Sequence, residues 1–308
     1  MAPADKVALW LGAPAGAASR LAENQYCRIF LVERGGERVV AKEYTAGDEK
    51  LARVETAGID AYHRLAEAEP SLVDCRVVAL DEAGRMLAMT FVPGERLSDH
   101  LRRVARSPGE WPRAAALLRA MGRLLARLRE ASARPGEGLD PFHLEYLLHC
   151  SGKLAAHPLA GALGFKRAEQ EARALWEEVQ SAGVVPSMAH GDFVCRNIHV
   201  EGDRVGVIDF ANTLAASHPL NDILNLRQGI ENMGLPRGLV SAAWAGFRGG
   251  FGPMEFGEAE RRFFHEYHRR RWLMLNLGSR SPVRWARAAR GMRTFARPWR
   301  GVEPHLAP

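Results

Sequence analysis

The residues of this chain with the clearest chemical potential lie in one stretch, HGDFVCRNIHVEGDRVGVIDF, at positions 190–210. His190, Asp192 and Asn197 stand at short fixed offsets, and a second carboxylate, Asp209, ends the apolar run that follows. Transfer of a phosphoryl group needs such a set. One carboxylate orients the attacking hydroxyl and accepts its proton, while an amide oxygen and a second carboxylate hold Mg²⁺ on the nucleotide phosphates. The stretch therefore predicts phosphoryl transfer.

The pattern HGDxxxxN followed by IDF resembles the aminoglycoside phosphotransferase and choline kinase-like family, whose members are related to the protein kinases. The resemblance implies that Asp192 is the catalytic base and that Asn197 and Asp209 are the Mg²⁺ ligands. It implies that His190 braces the loop. It also implies ATP as the phosphoryl donor, although the sequence does not distinguish ATP from GTP.

Lys42 lies in the predicted strand RVVAKEY, where apolar neighbours allow its side chain to point inward at the α- and β-phosphates. A lone strand lysine is more often a solvated edge residue, but the kinase-like loop downstream and the helix that follows favour the phosphate role. Its expected partner is a helix glutamate. We expect Glu55 rather than Glu49, because thirteen residues leave room for a loop and the first helical turns. A solvated helix carboxylate is the alternative for Glu55.

Residues 86–94, MLAMTFVPG, resemble the last strand of the small lobe and the hinge that grips adenine through backbone groups in this family. The resemblance implies that Thr90, Phe91 and Val92 form the hinge. A buried strand that ends in a turn would show the same residues, and the two interpretations are compatible.

Two parts of the family pattern are absent. No GxGxxG precedes Lys42, and RLAENQ stands in its place, so backbone amides and polar side chains such as Asn24 would have to contact the phosphates. Many family members carry a basic residue two positions after the catalytic aspartate, where this chain has Val194. Arg196 would supply charge nearby. These departures lower the expected efficiency of turnover rather than the expected nucleotide binding.

The order of predicted elements indicates an α+β protein of bilobal, protein kinase-like fold. Residues 1–92 should form a nucleotide-binding lobe, a small antiparallel sheet with one helix. Its strands are predicted at 27–33, 38–44, 73–80 and 85–92, with Arg34 to Glu37 as a hairpin turn and a helix over 46–69.

The second predicted domain, residues 93–308, is larger and mainly helical, and it carries the catalytic loop. A helical insertion at about 139–182, together with the later helices, is expected to form the acceptor pocket. Short strands are predicted at 198–200 and 205–208. The chain beyond Phe210 is predicted to be helical to its end, with breaks at 249–253 and 278–282.

Composition agrees with a globular enzyme, since 47% of the residues are hydrophobic and 25% are charged. The four cysteines form no CxxC pair, which suits a reducing compartment and predicts a cytoplasmic location. No apolar run has the length of a membrane span. The N-terminal run VALWLGAPAGAA loosely imitates a signal peptide, but Asp5 and Pro14 weaken that interpretation and favour a strand and loop.

Positive charge is concentrated near the C-terminus, because residues 261–300 contain twelve arginines and one acidic residue, Glu266. From Ser281 onward, tryptophans and other apolar residues recur at helical spacing with arginines between them. Such a helix either packs on the large lobe or contacts a membrane surface or another anionic partner. No nucleic-acid contact is expected, because no motif for reading nucleic acid is present.

The sequence thus predicts an enzyme, an Mg²⁺-dependent kinase that moves the γ-phosphate of ATP to a hydroxyl of a small molecule. The basic C-terminal region favours a sugar, a glycan or another neutral or anionic metabolite as acceptor. A cationic acceptor of the aminoglycoside or choline type is one alternative. The other is a non-catalytic nucleotide-binding module, or pseudokinase, which the missing glycine loop would permit but the retained lysine, base and metal ligands argue against.

Overall fold

A computed structural model describes residues 1–45, 49–81, 83, 85–158 and 164–277. The chain divides into two compact units. The first comprises Met1–His100, His190–Asp192 and Arg196–Thr213. The second comprises Leu101–Ala189, Phe193–Cys195 and the chain from Leu214 onward. The first unit is therefore assembled from three separate pieces of the chain, and most of the chemically promising stretch belongs to it.

Within the described residues, the first unit contains two sheets and two complete α-helices. The helices are α1 (Pro3–Trp10) and α2 (Glu49–Ala66). The strands of the larger sheet are β1 (Ala18–Glu23), β2 (Cys27–Arg34), β3 (Glu37–Tyr44), β4 (Val77–Leu80) and β5 (Met86–Thr90). They are antiparallel in the order β1-β2-β3-β5-β4. The smaller sheet is formed by β6 (Glu95–Arg96), β8 (Ile198–Glu201) and β9 (Arg204–Val207), in the order β6-β8-β9.

The turn between β2 and β3 follows from its glycines. Arg34 pairs with Glu37, which leaves Gly35 and Gly36 as a two-residue loop with φ angles of 58° and 85°. Two successive residues with positive φ are the requirement of a type I′ turn, whose twist matches that of the flanking strands. The predicted hairpin is confirmed, and its register places Lys42 opposite Ile29.

The strand and loop predicted for the N-terminus are wrong, because the chain begins with helix α1. Pro3 at the first turn and Asp5 near the positive end of the helix both favour helix initiation. Val7 and Ala8 are buried in a cluster with Phe30 and other residues of the sheet. Strand β1 was also not predicted, since five of its six residues are exposed and show no alternation. The predicted start of α2, residues 46–48, lies outside the described residues.

The second unit is mainly helical. Its helices are α4 (Trp111–Ser132), α5 (Phe142–Ala155), α6 (Ala168–Ser181), α7 (Pro219–Glu231), α8 (Arg237–Phe251) and α9 (Glu258–Leu277), and the boundary between the units falls within α3 (Leu97–Val104). Two short strands, β7 (Ser187–Ala189) and β10 (Leu214–Ser217), pair antiparallel. Strand β10 corrects the prediction that helix follows directly after Phe210, because Leu214 and Ser217 are held by their partners in β7.

No helix within the described residues is long and apolar enough to cross a membrane. The arginine-rich segment that begins at Ser281 lies outside the described residues, as do residues 159–163 between α5 and α6.

Arg270 joins three helices of the second unit. Its side chain is 1% exposed and donates hydrogen bonds to Ser151 of α5 at 2.8 Å, to Glu171 of α6 at 3.0 Å and to Glu266 of its own helix at 3.2 Å. The carbonyl of Ala168 accepts a further bond. A buried guanidinium with this many acceptors is compensated for the loss of hydration. Arg270 thus ties α5, α6 and α9 together.

His143 lies in the aromatic core of the same unit. Its ring makes edge contacts with Phe264 and Tyr267, each with centroids 5.4 Å away, and its Nε2 lies 2.9 Å from Oγ of Ser217. Burial, with a smaller contribution from the charge of His218, lowers the pKa of His143 to about 3. The imidazole is therefore neutral throughout the physiological pH range.

Candidate active site

The β8–β9 hairpin brings two of the predicted site residues to one end of a sheet. Asn197 directly precedes β8, and one residue, Ile208, lies between the end of β9 and Asp209. Ile198 pairs with Val207, and the N–H of Ile208 donates to the carbonyl of Asn197 at 2.9 Å. Paired residues of an antiparallel hairpin lie side by side. Asn197 and Asp209 therefore occupy the same edge of the sheet, although eleven residues lie between them in the sequence.

Lys42 connects this edge to the larger sheet and to α2. Its Nζ lies 2.7 Å from Oε1 of Glu55 and 2.8 Å from Oδ1 of Asp209. The side chains of Lys42 and Glu55 are 6% and 0% exposed, whereas that of Asp209 is 43% exposed. A buried ammonium between two carboxylates is compensated, and the open side of the cluster is at Asp209.

The charges of this cluster support one another. Burial alone would lower the pKa of Lys42, but Glu55 and Asp209 together raise it above its usual value. Burial would raise the pKa of Asp209, but the ammonium of Lys42 lowers it below its usual range. Lys42 is therefore charged and Asp209 is ionised at neutral pH, which is the state needed to bind phosphates and a cation.

The backbone of Asp209 is strained. Its φ and ψ are 67° and 60°, and no other non-glycine residue in the described part of the chain has a positive φ. Side chains other than glycine are disfavoured in this left-handed region, although aspartate and asparagine tolerate it better than most. Strain of this kind is retained where the surrounding structure holds the residue, often at functional sites.

Helix α2 is held close to the turn that follows Asp209. A β-carbon at Gly58 would lie 2.4 Å from Oγ1 of Thr213 and 2.9 Å from Cβ of Phe210, so only glycine fits at this crossing. The ring of Tyr62, one helical turn further on, lies 5.5 Å from that of Phe210. The close approach at Gly58 fixes the height of Glu55 relative to Asp209.

Asp192 is held by its two neighbours in the catalytic-loop motif. Nη2 of Arg196 donates to Oδ2 of Asp192 at 2.6 Å, and Nδ2 of Asn197 donates to the same oxygen at 3.0 Å and to the carbonyl of Asp192 at 2.9 Å. The side chain of Asp192 is 7% exposed, whereas that of Arg196 is 65% exposed. Val194 carries no charge at the position where many family members have a basic residue, and Arg196 instead places a positive charge next to Asp192.

His190 links the loop to the strand before Asp209. Its Nε2 lies 3.0 Å from the carbonyl of Ile208, and its Nδ1 accepts from the N–H of Asp192 at 3.2 Å. A carbonyl can only accept, so the proton of the neutral ring is on Nε2. Burial lowers the pKa of His190, in agreement with a neutral ring. These are the contacts expected of a loop brace.

Asn197 and Asp209 offer oxygen atoms of the kind that Mg²⁺ prefers. The hydrogen bonds of Asn197 to Asp192 use Nδ2, which leaves its Oδ1 outside them, and Lys42 binds Oδ1 of Asp209. Within the described residues, no group of three or more histidine, cysteine, aspartate or glutamate side chains is arranged to hold a metal. The two residues therefore fit a site that is completed by ligands from outside the chain, as nucleotide phosphates and waters complete many Mg²⁺ sites.

The predicted hinge residues differ in the state of their backbone N–H groups. The N–H of Thr90 donates to the carbonyl of Arg76 at 3.0 Å, and that of Phe91 donates to the carbonyl of Arg38 at 3.2 Å. For Val92, no backbone carbonyl in the described part of the chain accepts its N–H. Of the three residues, Val92 is thus the one with a backbone donor outside the sheet.

The loop that replaces a glycine-rich motif is a tight turn built on Asn24. Its Oδ1 accepts the N–H groups of Tyr26 at 2.8 Å and of Cys27 at 2.9 Å. The side-chain oxygen of Asn24 therefore stabilises the β1–β2 turn itself.

Comparison with known families decides the class of the chain. The model of the phosphotransferase enzyme family, APH, matches residues 18–273. The chain belongs to this family. The predicted family and the predicted enzyme class, a phosphotransferase, are thereby confirmed. No curated protein sequence matches the chain significantly.

Solved structures show the fold of this phosphotransferase in other proteins. A thermostable mutant of aminoglycoside phosphotransferase APH(4)-Ia, in a ternary complex with ADP and hygromycin B, is 14% identical with a TM-score of 0.62, covering 98% of this chain and 100% of its own. Amicoumacin kinase hAmiN, in complex with AMP-PNP, Ca²⁺ and Ami, is 14% identical with a TM-score of 0.58, covering 91% and 87%.

A third structure, the complex of APH(2'')-IIia with GDP and kanamycin, is 16% identical with a TM-score of 0.54 and covers 91% of this chain and 92% of its own. At these identities the likeness concerns the fold alone. It confirms the predicted α+β, protein kinase-like fold.

Sequence reasoning about this phosphotransferase overlooked Tyr44, whose hydroxyl donates a hydrogen bond to Oε2 of Glu55. A signal was present, because Tyr44 follows Lys42 by two residues in the same strand and so shares its face of the sheet. Its partner lies on α2, however, and the height of a helix over a sheet cannot be obtained from strand alternation.

Proposed function

We propose that the chain is an Mg²⁺-dependent phosphotransferase that moves the γ-phosphate of ATP to a hydroxyl group of a small molecule. The observation that carries the proposal is the chain of contacts from Glu55 through Lys42 to Asp209. Two carboxylates fix the ammonium in a buried position, and one of them is open to solvent on its other side. A charged group held in this way is preorganised for phosphates, so little energy is needed to reorient it when the nucleotide binds.

In this proposal Lys42 binds the α- and β-phosphates. An ammonium has three protons, and the contacts with Glu55 and Asp209 use two of them. The third is directed to the nucleotide. Val92 supplies the backbone N–H for adenine, with Thr90 and Phe91 completing the hinge through carbonyl and apolar contacts. Guanine in place of adenine is the alternative base.

Asn197 and Asp209 would hold Mg²⁺, which when bound supplies charge neutralisation on the phosphates. The nucleotides seen with related folds, ADP and AMP-PNP, belong to those proteins and support a nucleotide site here.

Asp192 would align the acceptor hydroxyl and accept its proton. Arg196 and Asn197 both donate to Oδ2 of Asp192, which fixes the plane of the carboxylate. Held in this way, the group would act chiefly by orienting the nucleophile. The exposed guanidinium of Arg196 also lies where it can attract the negative charge of the transferring group.

For the acceptor we propose a sugar, a glycan or another neutral or anionic metabolite, on the basis of the arginine-rich C-terminal sequence. A contact of that segment with a membrane surface belongs to the same proposal, as does a cytoplasmic location, which the cysteine pattern favours. Cationic acceptors are the alternative, since related folds bind hygromycin B and kanamycin.

The test compares Asp192→Asn with Asp203→Asn in a matched design. Asp203 lies in the exposed turn of the β8–β9 hairpin, so its substitution removes the same charge away from the proposed site. Transfer of labelled γ-phosphate from ATP is measured against a panel of neutral sugars, sugar phosphates, aminoglycosides and choline. Binding of ATP with Mg²⁺ is measured by calorimetry.

We expect Asp192→Asn to lose transfer by a factor of at least about 10³ while ATP still binds, and Asp203→Asn to behave as wild type. Near-normal transfer by Asp192→Asn would refute the role of Asp192. Binding of ATP by the wild type without consumption of ATP on any acceptor would favour the non-catalytic module. The acceptor that is labelled decides between the neutral or anionic class and the cationic class.

A further inference from the structure

Tyr44 binds the oxygen of Glu55 that Lys42 leaves unused. Its hydroxyl donates to Oε2, whereas Nζ of Lys42 binds Oε1. We propose that Tyr44 is a positioning residue of the nucleotide site, which acts through Glu55 on the ammonium of Lys42 and so on the binding of nucleotide phosphates. The inference rests on the phosphate-binding role proposed above for Lys42.

The geometry of β3 and α2 produces this arrangement. Lys42 and Tyr44 are two residues apart in β3, so their side chains leave the same face of the sheet. Both converge on one carboxylate of α2, and the three side chains are at most 6% exposed. Burial, together with the charge of Glu55, raises the pKa of Tyr44, so its hydroxyl remains protonated and can only donate to the carboxylate.

The hydroxyl matters because water cannot replace it. Glu55 is fully buried, so without Tyr44 its Oε2 would lack a donor. A carboxylate with one bare oxygen turns toward the nearest cation, which here is Lys42. Both oxygens would then compete for the ammonium and draw it from Asp209 and from the nucleotide. The effect should therefore appear in ligands that carry phosphates and be absent from ligands that do not.

The experiment measures the dissociation constants of ADP with Mg²⁺ and of adenosine by calorimetry on the full chain. The variants are Tyr44→Phe, Glu55→Gln and the double variant. The matched control is Tyr62→Phe, which also removes a buried hydroxyl from the first unit. The hydroxyl of Tyr62 donates to the carbonyl of Val73 at 2.7 Å and is not part of the ion-pair cluster.

We expect Tyr44→Phe to weaken ADP binding about tenfold, since hydrogen bonds to charged groups contribute this much, and to change adenosine binding less than about twofold. Tyr62→Phe should leave the ratio of the two constants unchanged. In the Glu55→Gln background, Tyr44→Phe should have no further effect on ADP, because the carboxylate through which it acts is gone.

Equal weakening of ADP and adenosine by Tyr44→Phe would show a merely structural role and overturn the inference, as would independent effects of Tyr44 and Glu55 in the double variant. If Tyr44→Phe does not fold, Glu55→Gln is compared with the double variant, and a further loss of ADP affinity refutes the inference. A wild type that binds adenosine but gains nothing from the phosphates of ADP contradicts the proposed role of Lys42 itself. The wild-type result thus tests the proposed role of Lys42, and the variant results test the role of Tyr44.

Discussion

Because the backbone of Asp209 is left-handed, we expect glycine to give a more stable protein than alanine at this position, the reverse of their usual order. Asp209→Ala and Asp209→Gly both remove the carboxylate and its contact with Lys42. They differ only in the β-carbon. At a φ of 67° that carbon is disfavoured, whereas glycine occupies this region freely.

The size of the difference follows from two opposing terms. A left-handed conformation costs an L-residue about 1–2 kcal/mol. Glycine loses more conformational entropy on folding than alanine, which costs about 0.5–1 kcal/mol. The loss of the ion pair is common to both variants and cancels. We therefore expect Asp209→Gly to be more stable than Asp209→Ala by about 0.5–1 kcal/mol.

The assay is urea denaturation of both variants, followed by circular dichroism, with nucleotide binding measured on the same samples. Ala57→Gly is the control, because Ala57 is exposed in the middle of α2 and the change should destabilise there by about 1 kcal/mol. Both Asp209 variants should lose the contribution of Mg²⁺ to nucleotide binding. A variant Asp209→Ala that is as stable as Asp209→Gly, or more so, would refute the argument from strain.

Two further predictions concern the second unit. Arg270→Met should lower the free energy of unfolding by about 2–4 kcal/mol, because Ser151 and the Ala168 carbonyl lose a buried donor whose side chain is 1% exposed. Arg269→Met, at a side chain that is 23% exposed, should lower it by less than about 1 kcal/mol. Urea denaturation measures both losses. Equal losses would contradict the role of burial. The pKa of His143 lies at about 3 in the folded state and near 6.5 when unfolded, so only the unfolded state gains this proton as the pH falls below 6.5. Between pH 7 and pH 5 wild type should therefore lose about 2 kcal/mol relative to His143→Phe, and parallel stability curves would exclude this contribution.

The parts of the site that depend on local spacing were predictable from the sequence. Residues 190–210 contain both strands of a hairpin and the residues at its ends, so the proximity of Asn197 and Asp209 is encoded in one continuous segment. The interval from Lys42 to Glu55 allows one turn and the start of one helix, and the structure has the two side chains in contact. The side chain of the competing Glu49 lies outside the described residues.

The parts that depend on tertiary packing were not predictable. The left-handed conformation of Asp209 has no local signal, because aspartate is common in ordinary turns and only the surrounding structure holds it there. Helix α1 was overlooked because it has only eight residues and gains its stability from the sheet against which Val7 packs. The hinge shows the same limit, because strand alternation does not reveal that, in the described part of the chain, the N–H of Val92 has no backbone acceptor whereas those of Thr90 and Phe91 do.

The composition of the first unit has a consequence for synthesis of the protein on the ribosome. Its last piece ends at Thr213, more than a hundred residues after His100, although Phe210 packs against α2 and Val205 pairs with Leu72. At a translation rate of about 5–20 residues per second, the nascent sheet and helix wait on the order of 10 s for these partners. Through that interval the surface that will bind Phe210 is uncovered. We therefore expect the N-terminal hundred residues to complete their fold only after Thr213 has been synthesised.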